Sequence, residues 1–140
     1  MSAYHTNLAA EFYVLSMLYR RGADASLTLG NKKAVDIVVA LTSGQTVTID
    51  VKGVAGPHDW PCDNVKLPAP ENHFLVLVSF EGQMANPRTV PSVWVVPANE
   101  ITPFIKSYEV RKVIGRSMIR AQGATYLQAW SRIVGGQHAG

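Results

Sequence analysis

Through the first twenty positions apolar side chains recur at helical spacing. Leu8, Phe12, Leu15, Leu18 and Tyr19 form one stripe, which predicts a helix over residues 6–21. Thr6 or Asn7 can cap its start, Arg20 and Arg21 complement the negative C-terminal end, and Gly22 suits the left-handed stop. The period then changes. Residues 25–29 read as a short strand, and Gly30-Asn31-Lys32-Lys33 as a turn. Residues 34–41 are a β-branched strand, turned at Thr42-Ser43-Gly44 into a strand over 45–52. Pro57, Pro61, Pro68 and Pro70 forbid a long helix over 53–72, which is expected to be an ordered excursion. Strands follow at 73–80 and 92–96, a short helix from Asn99 to about residue 106, an ambiguous segment at 110–121 and a closing helix over 125–134.

Three polar positions break this pattern. Glu11 lies within the apolar stripe of the first helix, where an unpaired carboxylate is costly to bury. Asp36 sits in Ala34-Val35-Asp36-Ile37-Val38-Val39-Ala40, a run that reads as a strand covered on both faces, where aspartate is depleted. Asp50 and Lys52 are two apart on the next strand, so they share a face with Thr48 while Val47, Ile49 and Val51 take the core face. Each has a bland explanation: a glutamate at the edge of its stripe, an aspartate at a strand start, a surface ion pair. An acid-x-lysine triplet alone arises about once by chance at this length. Three such coincidences on successive elements are harder to accept than one convergent site.

Composition narrows the class. The 140 residues are 47% hydrophobic and 16% charged, which fits one globular domain spanning 1–140 with a real core. Phe74-Leu75-Val76-Leu77-Val78, the longest apolar run, is too short to span a bilayer. Residues 1–7 lack a signal-like layout, and Cys62 is the single cysteine, so a reducing, cytoplasmic setting is expected and no membrane partner. The net charge is only +3. If three acids converge in one site, the remaining surface is basic, which favours a polyanionic partner.

Ala10-Glu11 with Leu15, then Val35-Asp36, then Ile49-Asp50-Val51-Lys52-Gly53 resembles the PD-(D/E)XK nuclease superfamily of the restriction-endonuclease-like fold, and most of all its small Holliday-junction-resolvase-type members. The resemblance covers about residues 8–53, with Val35 in place of the nominal proline and a proline-rich segment where a crossover helix is usual. It implies an α/β fold with a mixed central sheet of about five strands flanked by helices. It also implies a metal-dependent endonuclease in which Glu11, Asp36, Asp50 and Lys52 are catalytic. Mg²⁺ or Mn²⁺ would be held by Asp36, Asp50 and the Val51 carbonyl, with Glu11 binding through water or a second ion. Lys52 would orient the attacking water or offset the developing charge.

The implied partner is nucleic acid, most naturally DNA. Lys32, Lys33, Trp60 and Lys66 are candidate contacts, Trp60 by stacking on a base and Lys66 on phosphate; the competing reading of Trp60 is a plug of the open core edge. Lys112, Arg116 and Arg120 would align if 110–121 were helical. No helix-turn-helix or finger is present, which points to structure-directed rather than sequence-directed cleavage. Cutting two strands needs two sites, hence a homodimer. A non-catalytic nucleic-acid- or protein-binding module on the same fold is the alternative.

Overall fold

The computed structural model describes residues 2–28 and 35–135. Helix α1 (Ala3–Arg20) is capped by Ser2, whose hydroxyl accepts from the His5 N–H, and the chain turns out of it through Gly22 at φ 82°. Strands β1 (Asp24–Leu27), β2 (Ile37–Ala40) and β3 (Thr46–Val54) form an antiparallel meander. After the excursion containing β4 (Trp60–Pro61), the chain returns as β5 (His73–Ser79), parallel to β3, and then β6 (Ser92–Pro97), antiparallel to β5. The resulting mixed sheet has five strands in the order β1-β2-β3-β5-β6. This is the α/β architecture expected. The connection from β3 to its parallel neighbour carries no helix, because the prolines of 53–72 exclude one.

Two hydrophobic clusters cover the two faces of this sheet. One joins Ala10, Val14 and Leu18 of α1 to Ile37, Val39, Val47, Ile49 and Val51, with Trp130, Ile133 and Val134 of the C-terminal segment alongside. The other joins Leu75, Leu77, Trp94 and Val96 to Trp60, Phe104, Ile114 and Ile119. The second cluster is roofed by a small antiparallel sheet, β4-β8-β7, built from β7 (Ile105–Ser107) and β8 (Lys112–Ile114), and by helix α2 (Arg116–Gln122).

Several local expectations are corrected. The helix expected from Asn99 is two short 3₁₀ turns, Ala98–Glu100 and Thr102–Phe104, and the chain then extends into β7. The segment 110–121 divides at Gly115 between strand and helix, so no basic helical stripe forms: Lys112 is on β8 and Arg116 is buried. The closing helix is a 3₁₀ turn, Ala124–Tyr126, followed by α3 (Ser131–Val134). In α1 Phe12 and Tyr19 are both more than half exposed, while Thr6, Ala10, Glu11, Val14 and Leu18 face the sheet and Leu15 packs against the same core. Small residues win that position through close approach. A Cβ on Gly53 of β3 would stand 2.6 Å from the Ala10 Cβ, so α1 seats against a strand position that has no side chain.

Among the described residues no helix is long and apolar enough to cross a membrane.

Candidate active site

Strand β3 outruns β2. The last paired rung is Ile37↔Ile49, just before Asp36 and Asp50, and beyond it β3 continues to Val54. A cleft of about 670 Å³ opens there, lined among others by Glu11, Asp36, Val51, Lys52, His58 and Asn64. Its walls come from both layers. Glu11 descends from the sheet-facing side of α1 and is 7% exposed. Lys52 belongs to the alternate set of β3 side chains, which faces the second cluster, and its Nζ donates to Asn64 Oδ1 at 2.8 Å.

Asp36 lies between them at the mouth of β2. Its main-chain N–H donates to the Ile49 carbonyl at 2.9 Å, and its Oδ2 accepts from the Val51 N–H at 2.7 Å. The aspartate side chain thus supplies the next rung that β2 itself does not provide, which explains an acid at this strand start. Because a residue's N–H and C=O point to the same side of a strand, the Val51 carbonyl is directed past the end of β2, towards the cleft.

Asp50 goes elsewhere. It is absent from the cleft lining, and its Oδ2 lies 3.4 Å from His73 Nε2, on the strand parallel to β3. A carboxylate can only accept, so Nε2 is the donor in that contact, and Nδ1 lies in hydrogen-bond contact with the Thr48 hydroxyl at 2.7 Å. Thr48, His73 and Asp50 form a relay of their own beside the cleft. Among the described residues no three carboxylate, histidine or cysteine side chains converge to hold a metal ion. Of the three expected acids, Glu11 and Asp36 line the cleft, while Asp50 contacts His73 beside it. The cleft thus contains two carboxylates and a main-chain carbonyl at one opening. Such hard oxygen donors could hold a divalent cation that keeps several of its waters, rather than one in an all-protein cage.

Trp60 is also corrected. It has no exposed surface, packs edge-to-face on Trp94 at 5.6 Å between centroids, and donates its indole N–H to the Val78 carbonyl at 3.0 Å. It anchors the excursion to β5 and has no face free for a base. Lys66 is exposed but lies outside the cleft lining, and Lys32 and Lys33 lie outside the described residues.

Sequence reading passed over Asn64 and His73. Nothing in local pattern marks Asn64. His73 becomes visible only when the parallel pairing Thr48↔His73 is known.

A braced polar network holds the loop between β3 and β4. Ser79 donates to the Gly56 carbonyl at 3.0 Å and to Glu81, and Arg116 Nη2 meets Glu81 Oε2 at 2.6 Å. The Arg116 main-chain N–H and Lys106 Nζ reach the two oxygens of Asp59 at 2.8 and 3.3 Å. The Arg116 hydrogen bond, outweighing burial, holds the Glu81 carboxyl below its ordinary value of 4.5. Burial opposes ionisation of Asp59, but the Arg116 N–H and the Lys106 ammonium outweigh it, so that pKa is also lowered. Groups depressed in the folded state stabilise it above their unfolded pKa, and the benefit is lost as pH falls through the folded value. The melting temperature of Glu81→Gln is accordingly expected to lie below wild type at neutral pH and to converge with it as pH drops below about 4. Thermal melts between neutral and acid pH check this; a constant gap would refute it.

No protein-family model matches this chain, and no curated protein sequence matches it. One solved structure does. The bacterial homing endonuclease I-Ssp6803I superposes with a TM-score of 0.61 at 17% sequence identity, over 97% of this chain and 94% of that one. The likeness is therefore one of fold, and it runs through nearly the whole of both chains.

Proposed function

We propose that the protein is a metal-dependent nuclease that hydrolyses phosphodiester bonds, with DNA as substrate. The observation that carries the reading is the joint placement of Glu11, Asp36, Val51 and Lys52 around one cleft at the open end of β3. Two further points support it: the acid-x-lysine motif on that strand resembles the PD-(D/E)XK pattern, and the similar solved structure is a homing endonuclease.

In this reading Glu11, Asp36 and the Val51 carbonyl hold Mg²⁺ or Mn²⁺. Such an ion, when bound, polarises a phosphoryl oxygen and lowers the pKa of a ligated water. The remaining work falls to the chain. Asp36, already fixed by the Val51 N–H, is a preorganised donor with little rotamer freedom left to lose. Lys52, held at a set position by Asn64, orients the attacking water or meets the negative charge that grows on the phosphorus oxygens. Asp50 acts from behind, through His73, unless a ligand draws its carboxylate out of that contact. Cutting both strands of a duplex takes two clefts, and thus two copies of the chain.

Titration with Mg²⁺ and Mn²⁺ by calorimetry tests the donor set, beside a cleavage panel of duplex, single-strand, flap and junction DNA with and without chelator. Asp36→Asn and Glu11→Gln are expected to weaken metal binding at least tenfold and to abolish detectable cutting. Asp50→Asn, whose carboxylate points at His73, is expected to change metal affinity by less. A larger loss in Asp50→Asn than in Asp36→Asn would reverse the assignment. Failure to cut any substrate under any metal would leave the non-catalytic binding module in its place.

A further inference from the structure

We infer that the tip of the β7–β8 ribbon, residues 108–112, enters the major groove of duplex DNA beside the cleft and gives the protein a base-sequence preference. This rests on the nuclease reading above and names its substrate class.

The first ground is its position. β8 pairs with β4 at Trp60↔Ile114 and Pro61↔Val113, and both β4 residues border the cleft. The pairing continues outward: Cys62 N–H donates to the Lys112 carbonyl at 3.0 Å, and the Lys112 N–H donates to Asp63 Oδ1 at 2.6 Å. The next residue, Asn64, is the one that holds Lys52. The ribbon is thus the outward extension of the cleft wall.

The second is shape. Ser107↔Lys112 is the last rung, and the Tyr108 N–H donates to the Arg111 carbonyl at 2.8 Å, closing a tight turn at Glu109-Val110. A two-stranded antiparallel ribbon is one of the two elements the major groove admits. Its base is fixed by Lys106 on Asp59, by the Arg116 N–H on the same carboxylate, and by Gly115 N–H on the Phe104 carbonyl.

The third is chemistry. Every residue from 107 to 112 is exposed, Val110 at 92% and Tyr108 at 54%. Val110 at the apex is an apolar side chain that no part of the fold covers. For groove reading it is apt. Val110 can meet a thymine methyl, Glu109 can accept from a cytosine amino group, and Arg111 can fork onto guanine. The Arg111 guanidinium lies 5.8 Å from the Tyr108 ring centroid, which limits its wandering before contact. Lys112 is left for phosphate, which positions without specifying.

The test is selection from a randomised duplex pool in chelator, so that binding is read without cleavage, for wild type, Arg111→Lys, and Tyr108→Ala/Val110→Ser. All are solvent-facing changes, and melts within a few degrees of wild type confirm folding. Wild type is expected to enrich a defined motif. Arg111→Lys keeps the charge and should bind random duplex within about threefold, but lose about tenfold on the motif by dropping one base pair from it. The double variant should lose preference at a neighbouring position. No enriched motif for wild type, the same motif for all three proteins, or preference for single strands or duplex RNA would each overturn the proposal. A motif without cleavage under any metal would remove the nuclease reading and leave the ribbon standing; cleavage without a motif would do the reverse.

Discussion

Lys52→Ala is expected to lower turnover by about 10²–10³-fold while leaving DNA affinity, measured in chelator, within a few-fold of wild type. The ammonium reaches the cleft from the face of β3 opposite Glu11 and is steadied by Asn64, so on the proposed reading its removal leaves the oxygen donors in place and takes away only a positive charge beside them. The loss should therefore fall on kcat and not on KM. Lys52→Arg is not expected to rescue it, since a planar fork cannot occupy the position of a compact ammonium. Asn64→Ala should give a milder drop, having loosened the lysine without removing it. Single-turnover cleavage with Mg²⁺ measures all three. Cutting by Lys52→Ala at the wild-type rate would reduce Lys52 to a surface charge.

The largest effect on stability belongs to Trp60→Ala, expected to cost about 3–5 kcal/mol. The side chain is wholly buried between the two sheets, stacked edge-on against Trp94, and its N–H satisfies the Val78 carbonyl. Truncation leaves a cavity and removes the indole hydrogen bond to the Val78 carbonyl. Trp60→Phe should lose less, keeping part of the packing and forfeiting the hydrogen bond. Urea unfolding followed by circular dichroism decides the matter. A tryptophan that stacked on a base would behave oppositely, with weaker DNA binding and an unchanged midpoint.

These two residues show how far the sequence could be read. Lys52 was legible because a strand's period of two is local: once Val47, Ile49 and Val51 are assigned inward, the alternate face follows, and the burial of β3 obeys it. Trp60 was not settled, since a proline-rich loop gives no period, and its place depends on pairing with Ile114, more than fifty positions away. The five-stranded sheet was legible from runs of β-branched residues. The split at Gly115 was not, because Lys112, Arg116 and Arg120 satisfy a helical period that tertiary pairing overrides. In α1 the periodicity placed Leu18, Leu15 and Glu11 on the core side as observed, and erred at Phe12 and Tyr19. The contact with β3 selects for small residues, and bulk lies outward at Phe12 and Tyr19. Asp36 was identified as anomalous for a sound reason, yet only the register shows what it does, which is to bond the Val51 N–H where β2 ends.

The close seat of α1 on Gly53 bears on how the cleft can respond to what enters it. That seat lies one residue past Lys52 on the strand and one residue before Glu11 on the helix. The two walls are therefore joined there by backbone and a methyl group instead of by long side chains that could yield. Helix and strand cannot part without breaking the tightest contact between them. An occupant is therefore expected to be accommodated by rotation of Glu11 and Lys52 and by the loop that carries His58 and Asn64, with helix and strand held at Gly53.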